Sequence, residues 1–209
     1  MISGILDALG EFFHSIGDLF EKDRVPAQTP TPVPPVPSTT AEKLLIAEAN
    51  KWVGVHEQGG DNRGPEVKAF LADVGITRPA AWCAAFALYC IDQVDKQRMF
   101  LSTRQQPTKI YKSASVMEIW DKTPVSQRLK LPEPGCLMIW QSYHNDLPTH
   151  EGHMGIVTAV PTNSTVATIE GNTSDSSTVD RLDEGVYKKL RSFPALYPAM
   201  RVKGFLKVW

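Results

Sequence analysis

E-G-H-M-G-I-V-T-A-V-P-T-N-S-T-V-A-T-I-E-G-N, residues 151–172, reads as two strands folded back on each other. Apolar and β-branched residues fill 153–160 and 165–170, and Pro161-Thr162-Asn163-Ser164 between them suits a four-residue loop. In that hairpin Val160 pairs with Thr165, which sets Gly155 opposite Glu170 and His153 opposite Asn172. Side chains alternate with period two, so His153, Glu170 and Asn172 share one face. Gly155 has no side chain, which leaves Glu170 room to lean diagonally toward the imidazole. A carboxylate or amide in that place fixes the tautomer and orientation of a histidine, as proton transfer to and from a nucleophile requires. Either Glu170 or Asn172 fits the role.

Strand-like runs also occupy 136–141, 186–192 and 203–208, all after Gly135. The residues before them read as helices. Thr39 or Thr40 can cap a helix whose apolar face is Leu44, Leu45, Ala49, Trp52 and Val53. Pro65 opens a short helix through Phe70 and Leu71 that stops at Gly75, another starts near Trp82 and runs past Ile91, and a further one covers Ser115 to Trp120. Helices first and an antiparallel sheet afterward give an α+β domain over residues 41–209.

The nucleophile for His153 is expected at Cys83, in A-W-C-A-A-F-A-L-Y-C. It falls at the start of the apolar helix, where unpaired N–H groups and the helix dipole favour a thiolate. The same N–H groups suit the oxyanion of a tetrahedral intermediate. Cys90 is seven residues further along the helix, about 10 Å away, beyond disulfide reach. Cys90 and Cys136, the latter in G-C-L-M-I-W, read as core thiols. Trp82, beside the nucleophile, is a candidate wall of a substrate groove, with core packing the equal alternative.

With 209 residues, 42% of them hydrophobic, the chain has enough for one packed domain and a tail. A formal net charge of −1 gives no long-range attraction to nucleic acid or to an anionic membrane. The longest apolar run, Pro79 to Ile91, is far short of the roughly 20 residues that span a bilayer. Residues 2–20 place Ile2, Ile5, Leu9, Phe12, Phe13, Ile16 and Phe20 at helical spacing opposite Asp7, Glu11 and Asp18. That acidic amphipathic helix, residues 1–24, lacks the basic start of a secretory signal and the basic face of a membrane-surface helix, and suits self-association or docking to a protein. Residues 25–40, V-P-A-Q-T-P-T-P-V-P-P-V-P-S-T-T, form a proline-rich linker.

From about Ala41 to the C-terminus the chain resembles the CHAP family of cysteine- and histidine-dependent amidohydrolases and peptidases. The motifs that carry the likeness are W-C-A-A-F around Cys83, P-E-P-G at 132–135, G-H-M-G-I-V around His153 and I-E-G-N-T-S at 169–174. The resemblance implies a compact papain-like fold, peptidoglycan as substrate, Cys83 as nucleophile, His153 as base and acid, and Glu170 or Asn172 as its partner. It implies cleavage of an amide bond by an N-acetylmuramoyl-L-alanine amidase or a peptidoglycan endopeptidase directed to the cell wall, in the periplasm or outside the cell. Cys136 departs from the Asp often found after P-G in similar domains. The acidic calcium loop of some relatives has no counterpart before Cys83, so no metal and no cofactor is assigned. Three rivals stand beside this reading. One is a zinc site built from His144, His150, Glu151, His153 and Cys136, whose spacing matches neither H-E-x-x-H nor paired C-x-x-C. The others are a catalytically silent wall-binding scaffold and a cysteine peptidase acting on proteins.

Overall fold

A computed structural model describes residues 40–101, 106–174, 184–193, 196–197 and 199–209. The helix expected over 1–24 lies outside them, as does the linker over 25–40 apart from Thr40. Helices α1 (Thr40–Lys51), α2 (Pro65–Asp73), α3 (Cys83–Leu101) and α4 (Val116–Lys122) precede a 3₁₀ turn at Val125–Gln127 and the strands. These are β1 (Arg128–Leu129), β2 (Leu137–His144), β3 (Leu147–Thr162), β4 (Thr165–Thr173), β5 (Gly185–Ser192), β6 (Leu196–Tyr197) and β7 (Met200–Leu206). All strand pairs are antiparallel, in the order β1-β7-β2-β3-β4-β5, with β6 also on β7. The α+β architecture is the one expected. Among the described residues no helix is long and apolar enough to cross a membrane.

Local chemistry explains the helix boundaries near the site. Pro65 occupies the first turn of α2, where its missing N–H costs nothing. Ser115 caps α4, its hydroxyl accepting from the Glu118 N–H. The α3 sequence is apolar nearly all round and is buried accordingly, from Cys83 through Leu88 and on to Cys90, Ile91 and Val94. It packs on α1 and α2 on one side and on β3 and β4 on the other.

Alternation along the strands splits the core in two. Leu137, Ile139, Met154, Ile156, Ile169 and Leu206 join the helices in the larger cluster, while Met138, Trp140, Val157, Val166 and Phe205 form a second. Phe70 is the hub between α2 and α3, with rings of Trp52, Trp82, Phe86 and Tyr89 at centroid distances of 5.1 to 5.8 Å. Such aromatic pairs each add about 0.5–1.5 kcal/mol beyond the area they bury.

Two strand expectations need correction. The β3–β4 connection is a two-residue turn, Asn163-Ser164, because Thr162 pairs with Thr165 and extends both strands past Pro161. The registers Thr162↔Thr165 and Ala159↔Ala167 would by themselves displace His153 relative to Glu170, but two irregularities, between Val157 and Ala159 and between Ala159 and Thr162, shift the pairing to Ile156↔Ile169. Continued by one residue, that register sets Gly155 against Glu170. The second correction concerns 142–152, which separate the runs 136–141 and 153–160 expected as strands. There β2 and β3 continue as a two-stranded ribbon to Asn145-Asp146, whose φ values of 49° and 61° supply the left-handed pair that a tight hairpin needs. Gln141 Nε2 donates to the Thr149 carbonyl (2.8 Å), and the Thr149 hydroxyl donates to the Ser142 carbonyl (3.2 Å), holding the ribbon together.

Gly171 marks where the sheet meets α3. A Cβ there would lie 2.7 Å from the Trp82 ring and 2.8 Å from Phe86 Cβ. Gly171→Ala therefore lowers stability by about 1–3 kcal/mol through overpacking, measurable by urea denaturation. An unchanged midpoint would show that α3 can retreat without cost.

Candidate active site

Three side chains from three elements converge. Cys83 is the first residue of α3, His153 lies on β3 and Glu170 on β4. The carboxylate Oε2 of Glu170 is 2.8 Å from His153 Nε2. Cys83 interacts with the same imidazole, and with Nε2 taken by Glu170 the ring nitrogen left to face the sulfur is Nδ1. The site is closely packed, with Cys83 6% exposed and Glu170 fully buried.

Glu170 reaches the histidine because of what lies opposite. A Cβ on Gly155 would sit 2.6 Å from Glu170 Cγ, so glycine there is the condition for the carboxylate to cross the strand. Once buried, the carboxylate needs every acceptor position filled. Thr168 Oγ1 donates to Oε1 (2.5 Å), Arg191 Nε donates to Oε1 (2.8 Å), and Arg191 also donates to Oε2. Burial alone would push the Glu170 carboxyl up. The Arg191 guanidinium and the His153 ring overcome that and hold it well below the usual carboxylate range. For His153, burial alone would lower the imidazole pKa, but its hydrogen bond and charge interaction with Cys83, and then those with Glu170, raise it to about 10. Trp140, paired across β2 and β3 with His153, places its ring 5.4 Å from the imidazole, and Arg191 lies 5.7 Å from the centre of the same indole.

Of the two partners proposed for His153, Glu170 is the one that bonds it. Asn172 is placed elsewhere. Its φ of 55° takes it out of strand geometry, at a register shift between Glu170 and Thr173. Its Oδ1 accepts the Trp82 N–H (2.8 Å) and its Nδ2 donates to Glu184. Asn172 thus braces the residue before Cys83 instead of the imidazole. Of the two readings of Trp82, groove wall and core packing, the structure has core packing. Trp82 is fully buried, stacked on Phe70, and its indole N–H donates to Glu57 Oε1 (2.7 Å), so it lines no groove. An indole this size contributes most when enclosed, and its one polar atom is satisfied inside.

Cys90 and Cys136 are buried, and burial pushes the Cys90 thiol well above its ordinary value and the Cys136 thiol up to about 12. For Cys90 the Glu48 carboxylate adds to the effect, and for Cys136 that of Glu133 does. His144 and His150 belong to the ribbon beyond His153. Among the described residues no three His, Cys, Asp or Glu side chains come together as a metal site.

Arg191 was not anticipated. Its signal was indirect, since a buried carboxylate requires a cation, and β5 is the strand on the open side of β4.

Residues 75–172 match the CHAP domain family model. Over that segment, just under half of the chain, the protein is similar to the CHAP domain family. The match spans Cys83, His153, Glu170 and Asn172, while Arg191 and helices α1 and α2 lie outside it. CHAP domains are in general amidases and peptidases that act on peptidoglycan, which makes a hydrolase of that class the coarse assignment. No curated protein and no solved structure matches the chain.

Proposed function

We propose that this protein cleaves an amide bond of peptidoglycan through a Cys83 thiolate, with the papain-like division of labour between a helix-borne sulfur and a strand-borne imidazole. The observation that carries the reading is His153 held between Cys83 and the buried Glu170. His153 holds the proton of Cys83 as an imidazolium beside the thiolate, the thiolate attacks the carbonyl carbon, and the imidazolium delivers the proton to the leaving amine when the C–N bond breaks. Water, deprotonated by the same imidazole, then attacks the thioester and releases the acid and the free thiol.

The start of α3 suits the oxyanion. The Phe86 N–H is bonded to the Trp82 carbonyl (2.9 Å), and Asn172 holds the Trp82 N–H in place. The N–H of Cys83, in the first turn of the helix beside the sulfur, is the donor this reading assigns to the developing charge, with the helix dipole in support. Glu170 keeps the imidazole in the orientation the cycle needs, and Arg191 and Thr168 keep Glu170 ionised and fixed. On this reading the protein is directed to the cell wall.

Mass spectrometry of digested peptidoglycan tests the reaction. The expected result is fragments with new amino termini, absent from a Cys83→Ala digest. A terminus on the first alanine of the stem identifies a muramoyl amidase, and one inside the stem or cross-bridge identifies an endopeptidase. An intact wall after treatment with the wild-type protein would favour a silent binding scaffold.

A further inference from the structure

A cavity of about 330 Å³ opens between the 62–65 loop, α2 and the 76–79 segment, on the chain that leads into the nucleophile. Arg63, Lys68 and Arg78 line it, over an apolar floor that includes Leu71 and Pro79. All three cations are exposed, and none is in an ion pair among the described residues. Asp61 and Glu66 belong to the same segment but do not line the cavity. Three positive charges around one concave, part-apolar surface focus potential on an anion there.

The cavity is tied to the reaction centre in two ways. Pro79 precedes Cys83 by four residues, so their α-carbons are at most about 14 Å apart, a distance that about four residues of extended substrate would span. Glu57 provides the second tie. Its Oε2 accepts the Asn62 N–H (2.7 Å) at one wall of the cavity, and its Oε1 accepts the Trp82 indole N–H (2.7 Å) next to the nucleophile. The loop itself is set, since the Gln58 N–H donates to the Arg63 carbonyl (2.9 Å) and Asn62 holds φ 56°.

We infer that this cationic cavity is a subsite for a carboxylate of the substrate's peptide. The inference rests on the peptidoglycan reading for its substrate class. The ligand is a short peptide with a free side-chain or terminal carboxylate, which Arg63 and Arg78 can grip in bidentate fashion while Lys68 adds charge and Leu71 and Pro79 take an alanine-sized side chain. Arg63, Lys68 and Leu71 precede the CHAP match, which begins at residue 75, so the cavity joins that domain to the segment in front of it.

The test uses the full-length Cys83→Ala protein, to stop turnover, and two probes, acetyl-Ala-D-isoglutamyl-Lys-D-Ala and the same peptide with both carboxylates amidated. Calorimetry should show the free acid binding about tenfold or more tighter than the amide, since a single charge-assisted hydrogen bond to a carboxylate is worth at least that factor. Raising the salt from low to molar concentration should narrow the gap. Arg78→Gln and Arg63→Gln, on exposed side chains, should each weaken the acid about tenfold and leave the amide unchanged. In the active protein the same substitutions should raise KM and spare kcat. Equal binding of acid and amide, unchanged acid affinity in both variants, or tighter binding of glycerol phosphate than of the acid would each overturn the subsite. A wild-type protein that binds the acid selectively yet cleaves no peptidoglycan would keep the subsite and remove the hydrolase reading.

Discussion

On the proposed reading, Cys83→Ser is expected to abolish peptidoglycan hydrolysis, lowering the rate of fragment release by about 10⁴-fold or more, while the thermal midpoint stays within a few degrees of wild-type. The size follows from the role, because removing a nucleophile leaves only binding and oxyanion stabilisation. The hydroxyl is smaller than the thiol it replaces and stands at the first turn of α3, 6% exposed, so the packing has little to absorb. Fragment release and a melting curve, read on the same sample, separate chemistry from folding. Cys90→Ser gives the opposite pattern. Its sulfur is fully buried beside the α1–α3 contact, and a hydroxyl there costs stability while the site stays intact. Normal turnover by Cys83→Ser would remove the nucleophile assignment.

Glu170→Gln lowers kcat by about 10²–10⁴-fold with little change in KM, the range spanned by positioned acid–base catalysis. The amide keeps the shape and can still meet the imidazole. It loses the negative charge that helps raise the His153 pKa to about 10, and leaves the Arg191 guanidinium facing the ring. The alkaline limb of kcat/KM, set by loss of the imidazolium proton, should therefore move to lower pH. Stability follows the same signs. With its pKa raised from 6.5, His153 contributes stability fully below about pH 6.5 and loses it as pH rises through about 10. Glu170 is shifted the other way, so its contribution is present above its ordinary value near 4.5 and is lost as pH falls below it. In Glu170→Gln both dependences flatten. A variant with wild-type kcat and an unmoved alkaline limb would show that His153 is oriented by something else.

The alternation of residues 153–170 made the site readable, because a strand has one variable that matters, which face a side chain takes. Alternation gives His153 and Glu170 their shared face, while the pairing of Gly155 with Glu170 is reached through the two irregularities, which offset a turn shorter than the loop expected. The helices were legible for a related reason, since Pro65, Ser115 and Gly75 mark ends whose backbone chemistry is local. Trp82 was not. Whether an indole beside a nucleophile faces solvent or the core depends on Phe70 and Glu57, 12 and 25 residues away in the chain, and no local pattern carries that. Arg191 was hidden likewise, because alternation places it on the right face of β5 but says nothing about which long side chain reaches across β4. Asn172 failed for a subtler cause, as its own left-handed backbone ends the period-two rule at the residue expected to face His153.

The two bulges in the β3–β4 hairpin separate its tip from its base. Whatever pairing the turn at Asn163-Ser164 imposes is reset before Ile156, so the alignment of His153 with Glu170 answers to the bulges and not to the turn. That makes the tip a permissive graft point. An affinity tag, a fluorophore or a wall-targeting peptide can be spliced between Asn163 and Ser164 with the proton-transfer geometry left as it is, whereas one extra residue between Gly155 and Val157 would turn the imidazole to the opposite side of the sheet.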